Sequence, residues 1–155
     1  MIFTTSFHSP IGQIKIEADK NYITEITFTD QPVAENPNRL TSLAALQLAE
    51  YFARNRTKFN LPLAIRGTVF QQQVLKLVAE IPSGHTLTYL QLAKRYGDKK
   101  AIRAVAAANG KNKFAIVVPC HRVVGSNGAL TGYAWGLDKK EWLLQHEGAI
   151  QQKLF

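Results

Sequence analysis

The chain has 155 residues, 46% hydrophobic and 19% charged, the balance of an ordinary folded protein of one unit or two small ones. No apolar run approaches the roughly 18 residues of a membrane helix, and the N-terminus MIFTTSFHSPIG lacks the basic-then-apolar order of a signal peptide. A single cysteine allows no internal disulfide, which fits a reducing cytoplasm, and four scattered histidines give no zinc-ligand spacing, so no metal or other cofactor is expected. The net charge of +8 is one-sided: residues 1–65 hold six basic and six acidic side chains, whereas residues 66–155 hold 13 and 5. Such an excess points to a polyanionic partner, nucleic acid first.

Residues 1–30 read as strands. Phe3–Phe7, Ile11–Ala18 and Tyr22–Phe28 alternate apolar with polar, most clearly at Ile14, Ile16, Ala18 and at Ile26, Phe28. A polar loop follows, then a helix from about Arg39 to Arg54 with Leu40, Ala44, Leu48 and Phe52 on one face. Nothing in this half gathers nucleophiles, acids or ligands, so it reads as scaffold. Phe59–Ile65 is an apolar strand or extended linker interrupted by Pro62, and a subdomain boundary falls near residue 66.

The second half is mostly helical. Thr68 and Gln71 form a capping box opening a helix whose buried face is Val74, Leu77, Val78 and Ile81, ended by Pro82-Ser83-Gly84. A second box, Thr88 and Gln91, opens a short helix over Tyr89–Tyr96. Gly97 suits a left-handed stop, and Asp98 caps another helix running to about Asn109, which gives a helix-turn-helix pattern. At 100° per residue, Ile102, Val105, Ala106 and Asn109 of that helix should face inward. Lys100, Ala104, Ala107, Ala108 and Lys111 should face out, with Arg103 at the edge. Small exposed residues flanked by cations let a helix backbone approach a charged groove. Thr131–Gly136 is a glycine-flanked aromatic loop, and Asp138 is placed to cap a last helix, Lys139–His146, with Trp142 and Leu143 inward.

The chemistry centres on FAIVVPCHRVVG, residues 114–125. Phe114–Val118 is long enough for a buried strand and Pro119 stops its pairing, which places Cys120, His121 and Arg122 at the end of a core strand. A thiol reacts as its thiolate, and neighbouring His121 and Arg122 favour that anion.

GTVFQQQVL (67–75), IPSGHTLTYLQLA (81–93), RAVAAANGKN (103–112), VPCHRVVG (118–125), GALTGYAWG (128–136) and KEWLLQHEG (140–148) follow one another in an order and spacing that closely resemble the O6-alkylguanine-DNA alkyltransferases. The resemblance implies an α+β fold. A ribonuclease-H-like strands-plus-helix subdomain would span 1–65, and a mostly helical DNA-binding subdomain with a helix-turn-helix would span 66–155. It implies a monomer that binds double-stranded DNA through the minor groove, flips out an O6-alkylated guanine and takes the alkyl group, mainly methyl, irreversibly onto Cys120, once per molecule. By the same resemblance His121 would take the thiol proton through a water and Glu147 would hold His121. Asn112 would tie the second helix of the pair to the Cys120 segment, and Tyr133 would donate to the departing guanine. Backbone carbonyls near Cys120 and Val123 would read the guanine amino group. Arg103 would fill the gap left by the base and Tyr89 would press on its phosphate. Ala104 and Ala107 would approach the groove, with Lys100 and Lys111 on phosphates. Ala134 stands where some members have serine and Trp135 where others have glycine, which narrows the pocket towards methyl.

Three other readings share parts of this pattern. A damage sensor without transfer activity would lack Cys120; a helix-turn-helix regulator leaves Pro119-Cys120-His121-Arg122 and Glu147 idle; a cysteine hydrolase needs no alanine-lined basic helix.

Overall fold

Ile14, Ile16 and Ala18 alternate with polar neighbours, and all three are fully buried in the computed structural model, which describes residues 1–151. They lie on β2 (Gly12–Ala18), the middle strand of an antiparallel sheet between β1 (Phe3–Ser9) and β3 (Ile23–Phe28). Register sets Phe7 opposite Ile14 and Ile16 opposite Ile26, so one face is largely apolar. Against it packs α1 (Arg39–Phe52), opened by a reciprocal Asn38–Thr41 cap and burying Leu40, Ala44, Leu48 and Tyr51. The helix stops two residues before Arg54, which has a left-handed φ of 64°.

The contacts divide the chain into two units, residues 1–65 with 113–117, and the described residues of 66–112 and 118–151. The last four residues of the expected 66–155 subdomain lie outside the described residues. In the first unit Phe59–Ile65 is not a strand. Only Leu63 bridges Ile23, because Pro62 offers a carbonyl to the Ile23 N–H but has no N–H of its own.

Phe114–Val118 is not a strand either. The Lys113 carbonyl and the Ala115 N–H bracket Ile26 in one isolated bridge, and pairing ends there. The Val117 N–H then turns back onto the Ala115 carbonyl across Ile116, whose φ of 72° is left-handed. In the second unit the Cys120 N–H does the same onto the Val118 carbonyl across Pro119. An apolar run of five suits a buried pair of three-residue turns as well as a strand, and periodicity does not separate the two. Cys120 therefore sits in a single 3₁₀ turn, Cys120–Arg122, rather than at a strand end.

The second unit packs α2 (Val69–Ala79), α3 (Tyr89–Tyr96) and α4 (Ile102–Gly110) together. The Thr68–Gln71 and Thr88–Gln91 capping boxes form as expected, and Gly97 closes α3 at a φ of 109°. Val74, Leu75, Val78 and Ile81 are buried, Leu77 only partly. Asp98 caps a 3₁₀ turn, Lys99–Ala101, before α4 begins. The buried arc of α4 differs from the expected wheel: Val105, Ala108 and Asn109 are buried, while Ile102 is exposed and Ala106 half-buried. A two-residue parallel pair joins β4 (Leu87–Thr88) to β5 (Val123–Val124). The last helix, α5 (Leu137–His146), starts at Gly136 with no side-chain cap, so Asp138 lies in its first turn instead of capping it. Lys140, Leu143 and Leu144 form its buried stripe and Trp142 is only half-buried. Among the described residues no helix is long and apolar enough to cross a membrane.

Candidate functional site

Cys120 is buried, a free thiol held from several sides. Asn112, just past α4, donates its Nδ2 to the Val118 carbonyl at 2.8 Å and hydrogen-bonds the Cys120 side chain. Asn109 donates to the Cys120 carbonyl at 3.4 Å. Burial pushes the thiol up to about 11, with the Asn112 hydrogen bond and the Lys140 charge pulling the other way. The expectation that His121 and Arg122 favour the thiolate is therefore corrected: the resting group is a thiol, and its anion-stabilising neighbours are Asn112 and Lys140.

Arg122 is turned to another task. Its Nε and Nη2 clasp both oxygens of Glu147 at 2.8 and 2.9 Å, and Nη1 donates to the Ile81 carbonyl at 2.6 Å. Glu147 also meets His121 Nε2 at 2.8 Å through Oε2. Burial opposes the Glu147 charge, but His121 and the two-point Arg122 clasp outweigh it and hold the carboxyl well below the usual carboxylate range. Burial depresses His121, against the pull of Glu147, so the ring is neutral. A carboxylate facing Nε2 requires the proton there, which leaves Nδ1 with an open lone pair. That Nδ1 is buried and has no hydrogen-bond partner.

Tyr133 stands edge-on to His121 with ring centres 6.5 Å apart, and its buried hydroxyl also lacks a partner. Burial first, then the charges of Cys120 and Glu147, lift its phenol well above the ordinary value, so it stays a donor. Trp135 packs edge-on to Tyr133 at 5.3 Å, while Ala134 is exposed. Tyr89 is half-buried and hydrogen-bonded to Thr131, and burial raises its phenol too. Arg103, Ala104, Ala107, Lys100 and Lys111 are all exposed on or beside α4, whereas Ala108, expected outside, is buried.

Two residues of the site escaped the sequence reading. Lys140 is fully buried and donates Nζ to the Val123 carbonyl at 2.6 Å and to the Gly132 carbonyl at 2.8 Å, bridging the segment after Cys120 to the aromatic loop. Burial lowers its ammonium to about 8, with the Cys120 charge opposing, so the cation persists at neutral pH. The signal was its spacing: Lys140 shares the i, i+3, i+4 stripe of Leu143 and Leu144, where a lysine is out of place unless its charge is used. Asn109 is the second, one turn after Val105 on the buried side of α4. Among the described residues no cluster of three His, Cys, Asp or Glu side chains is placed to hold a metal.

A family model described as the DNA binding domain of 6-O-methylguanine DNA methyltransferase matches residues 69–149, and one for that protein's ribonuclease-like domain matches residues 2–65. The chain belongs to the 6-O-methylguanine DNA methyltransferase family. It is 44% identical over 151 residues to the methylated-DNA–protein-cysteine methyltransferase of Methanosarcina acetivorans, an alignment covering 92% of this chain and 96% of the relative. The crystal structure of Mycobacterium tuberculosis O6-methylguanine methyltransferase superposes with a TM-score of 0.86 at 39% identity, over 96% of this chain and 94% of that one. A structure of Mycobacterium tuberculosis OGT in complex with DNA gives 0.84 at 40% identity, over 96% and 92%. The family and the mixed α+β class read from the motifs both hold.

Proposed function

We propose that this chain repairs O6-alkylguanine in double-stranded DNA by moving the alkyl group onto Cys120, once per molecule. The observation that carries the reading is the buried line Cys120–His121–Glu147, with Nε2 of His121 fixed on Glu147 and Nδ1 left open as a base. His121 Nδ1 accepts the Cys120 proton, through a water on the family's pattern. The sulfur attacks the alkyl carbon, the new S–C bond forms as the C–O6 bond breaks, and the electron pair leaves with guanine. Tyr133 donates to the guanine as that charge develops, and the proton lost from sulfur, held first by His121, is finally carried by the guanine, which leaves neutral. A thioether carries no group that His121 or water displaces, so the protein stays alkylated. Asn112 holds the nucleophile's backbone, and Lys140 adds a fixed positive charge where the thiolate forms.

Duplex DNA meets the exposed face of α4. Ala104 and Ala107 let the helix come close in the minor groove, Lys100 and Lys111 meet phosphates, Arg103 takes the place of the flipped base, and Tyr89 presses on that base's phosphate. The resemblance to a protein solved with DNA supports this partner. The reading is of a monomer acting in the cytoplasm. Titrating the protein with excess O6-methylguanine duplex tests it. Restoration should stop at one guanine per protein and vanish in Cys120→Ala; continued turnover would point to a hydrolase.

A further inference from the structure

Three buried side-chain polar atoms among the described residues have no hydrogen-bond partner, and all three belong to residues linked to the Cys120 turn: His121 Nδ1, Tyr133 Oη and Asn109 Oδ1. The proposed reaction uses the first as base and the second as donor. It leaves the third without a task. Burying an acceptor unpaired is costly, so an orphan inside a reactive site marks a place where a donor arrives.

Asn109 is 6% exposed, and its Nδ2 points at the Cys120 carbonyl, so the planar carboxamide sets Oδ1 beside that carbonyl. The alternative flip would set two acceptors against each other. The Cys120 and Val123 carbonyls, the two acceptors expected to read the guanine amino group, already carry the Asn109 and Lys140 donors, the latter at 2.6 Å. Oδ1 of Asn109 carries none. An exocyclic amino group brings two N–H donors into the site, and each needs an acceptor.

Resting on the reading above, we propose that Asn109 is a specificity-determining residue whose side-chain oxygen accepts a hydrogen bond from the 2-amino group of the flipped O6-alkylguanine. Asn109 then serves twice, steadying the carbonyl of the nucleophile with one end and reading the base with the other. Its target is the feature that separates guanine from alkylated bases without an amino group.

The test is a single-turnover comparison of two duplexes, one with O6-methylguanine and one with O6-methylhypoxanthine, the same base without its 2-amino group. The wild type should favour the guanine duplex. Asn109→Leu, similar in volume but without an acceptor, should slow transfer from O6-methylguanine about tenfold more than transfer from O6-methylhypoxanthine, the loss common to both duplexes reporting the missing support of the Cys120 carbonyl. Asn109→Ala should behave alike and covers the case in which leucine disturbs folding. An equal fall on both duplexes would overturn the proposal and leave Asn109 as a backbone support or a partner of the thiol proton. A wild type that treats both duplexes alike would overturn it without any variant. No transfer from either duplex would instead defeat the parent reading.

Discussion

The two units of the chain treat buried polarity in opposite ways. In residues 1–65 the buried polar side chains are Thr41, which closes the helix cap with Asn38, and Gln47, which exchanges hydrogen bonds with the Asn60 backbone. Both are fully used, and the rest of that core is aliphatic or aromatic. The second unit buries Asn109, Asn112, His121, Arg122 and Lys140, and holds all three orphaned polar atoms. A core of the first kind serves stability alone. On the proposed reading, the second gives up stability to keep a base, a donor and an acceptor ready for the incoming guanine.

Glu147→Gln should break this arrangement most severely. The neutral amide no longer demands the proton on Nε2 of His121 and weakens the Arg122 clasp, so the transfer rate should fall by about 10²-fold or more, as in other sites that lose the group orienting a histidine. A rate within about threefold of wild type would show that Nδ1 is not the base.

Truncating the other core should do the reverse. Ile26→Ala empties a fully buried position opposite Ile16 and should cost about 2–5 kcal/mol in chemical denaturation. Where the variant stays folded, its saturating transfer rate should match wild type. A large rate loss there would erase the contrast between stability core and reactive core.

Acid sharpens the comparison with a smaller effect. Burial lowers His121 below its ordinary 6.5, so the unfolded chain takes up that proton first and stability declines as pH falls through this value. Glu147 is held below its ordinary 4.5, so its contribution is present above that value and declines as pH falls further. Both act in the same direction. Melting temperature should therefore drop from pH 6.5 to pH 4, and less steeply in a His121→Gln, Glu147→Gln double variant. Transfer itself should hold down to and below pH 6.5, because His121 remains an unprotonated base there.

The smallest change concerns the pocket mouth. Trp135 packs on the Tyr133 ring, and Trp135→Gly should raise reactivity with free O6-benzylguanine several-fold while leaving O6-methylguanine transfer near wild type. No gain would show that this ring does not limit adduct size.

Much of this was legible from residues alone. The strands around Ile14, Ile16 and Ala18, both Thr–Gln capping boxes and the left-handed Gly97 follow from local rules, because short-range patterns decide them. The route to Cys120 did not. Phe114–Val118 satisfies every local requirement of a strand, and only the single bridge at Ile26 and the left-handed Ile116 make it a pair of turns. The face of α4 was misjudged at Ile102 and Ala108, since packing against α2 and α3 selects the arc of Val105, Ala108 and Asn109, and small alanines leave the wheel without a clear apolar centre. Arg122 and Lys140 were harder still. A cation beside a cysteine in sequence suggests a stabiliser of the thiolate, yet Arg122 is spent on Glu147, and the cation that acts on the thiol comes from Lys140, twenty residues later.

Alkyl transfer to Cys120 is best tested by intact-protein and peptide mass after mixing the protein with a duplex carrying one O6-methylguanine. A single added methyl on the Cys120 peptide, saturating at one per protein and absent in Cys120→Ser, is the expected result. Tight binding of the damaged duplex with no gain in mass would contradict the account and make the protein a sensor of the lesion.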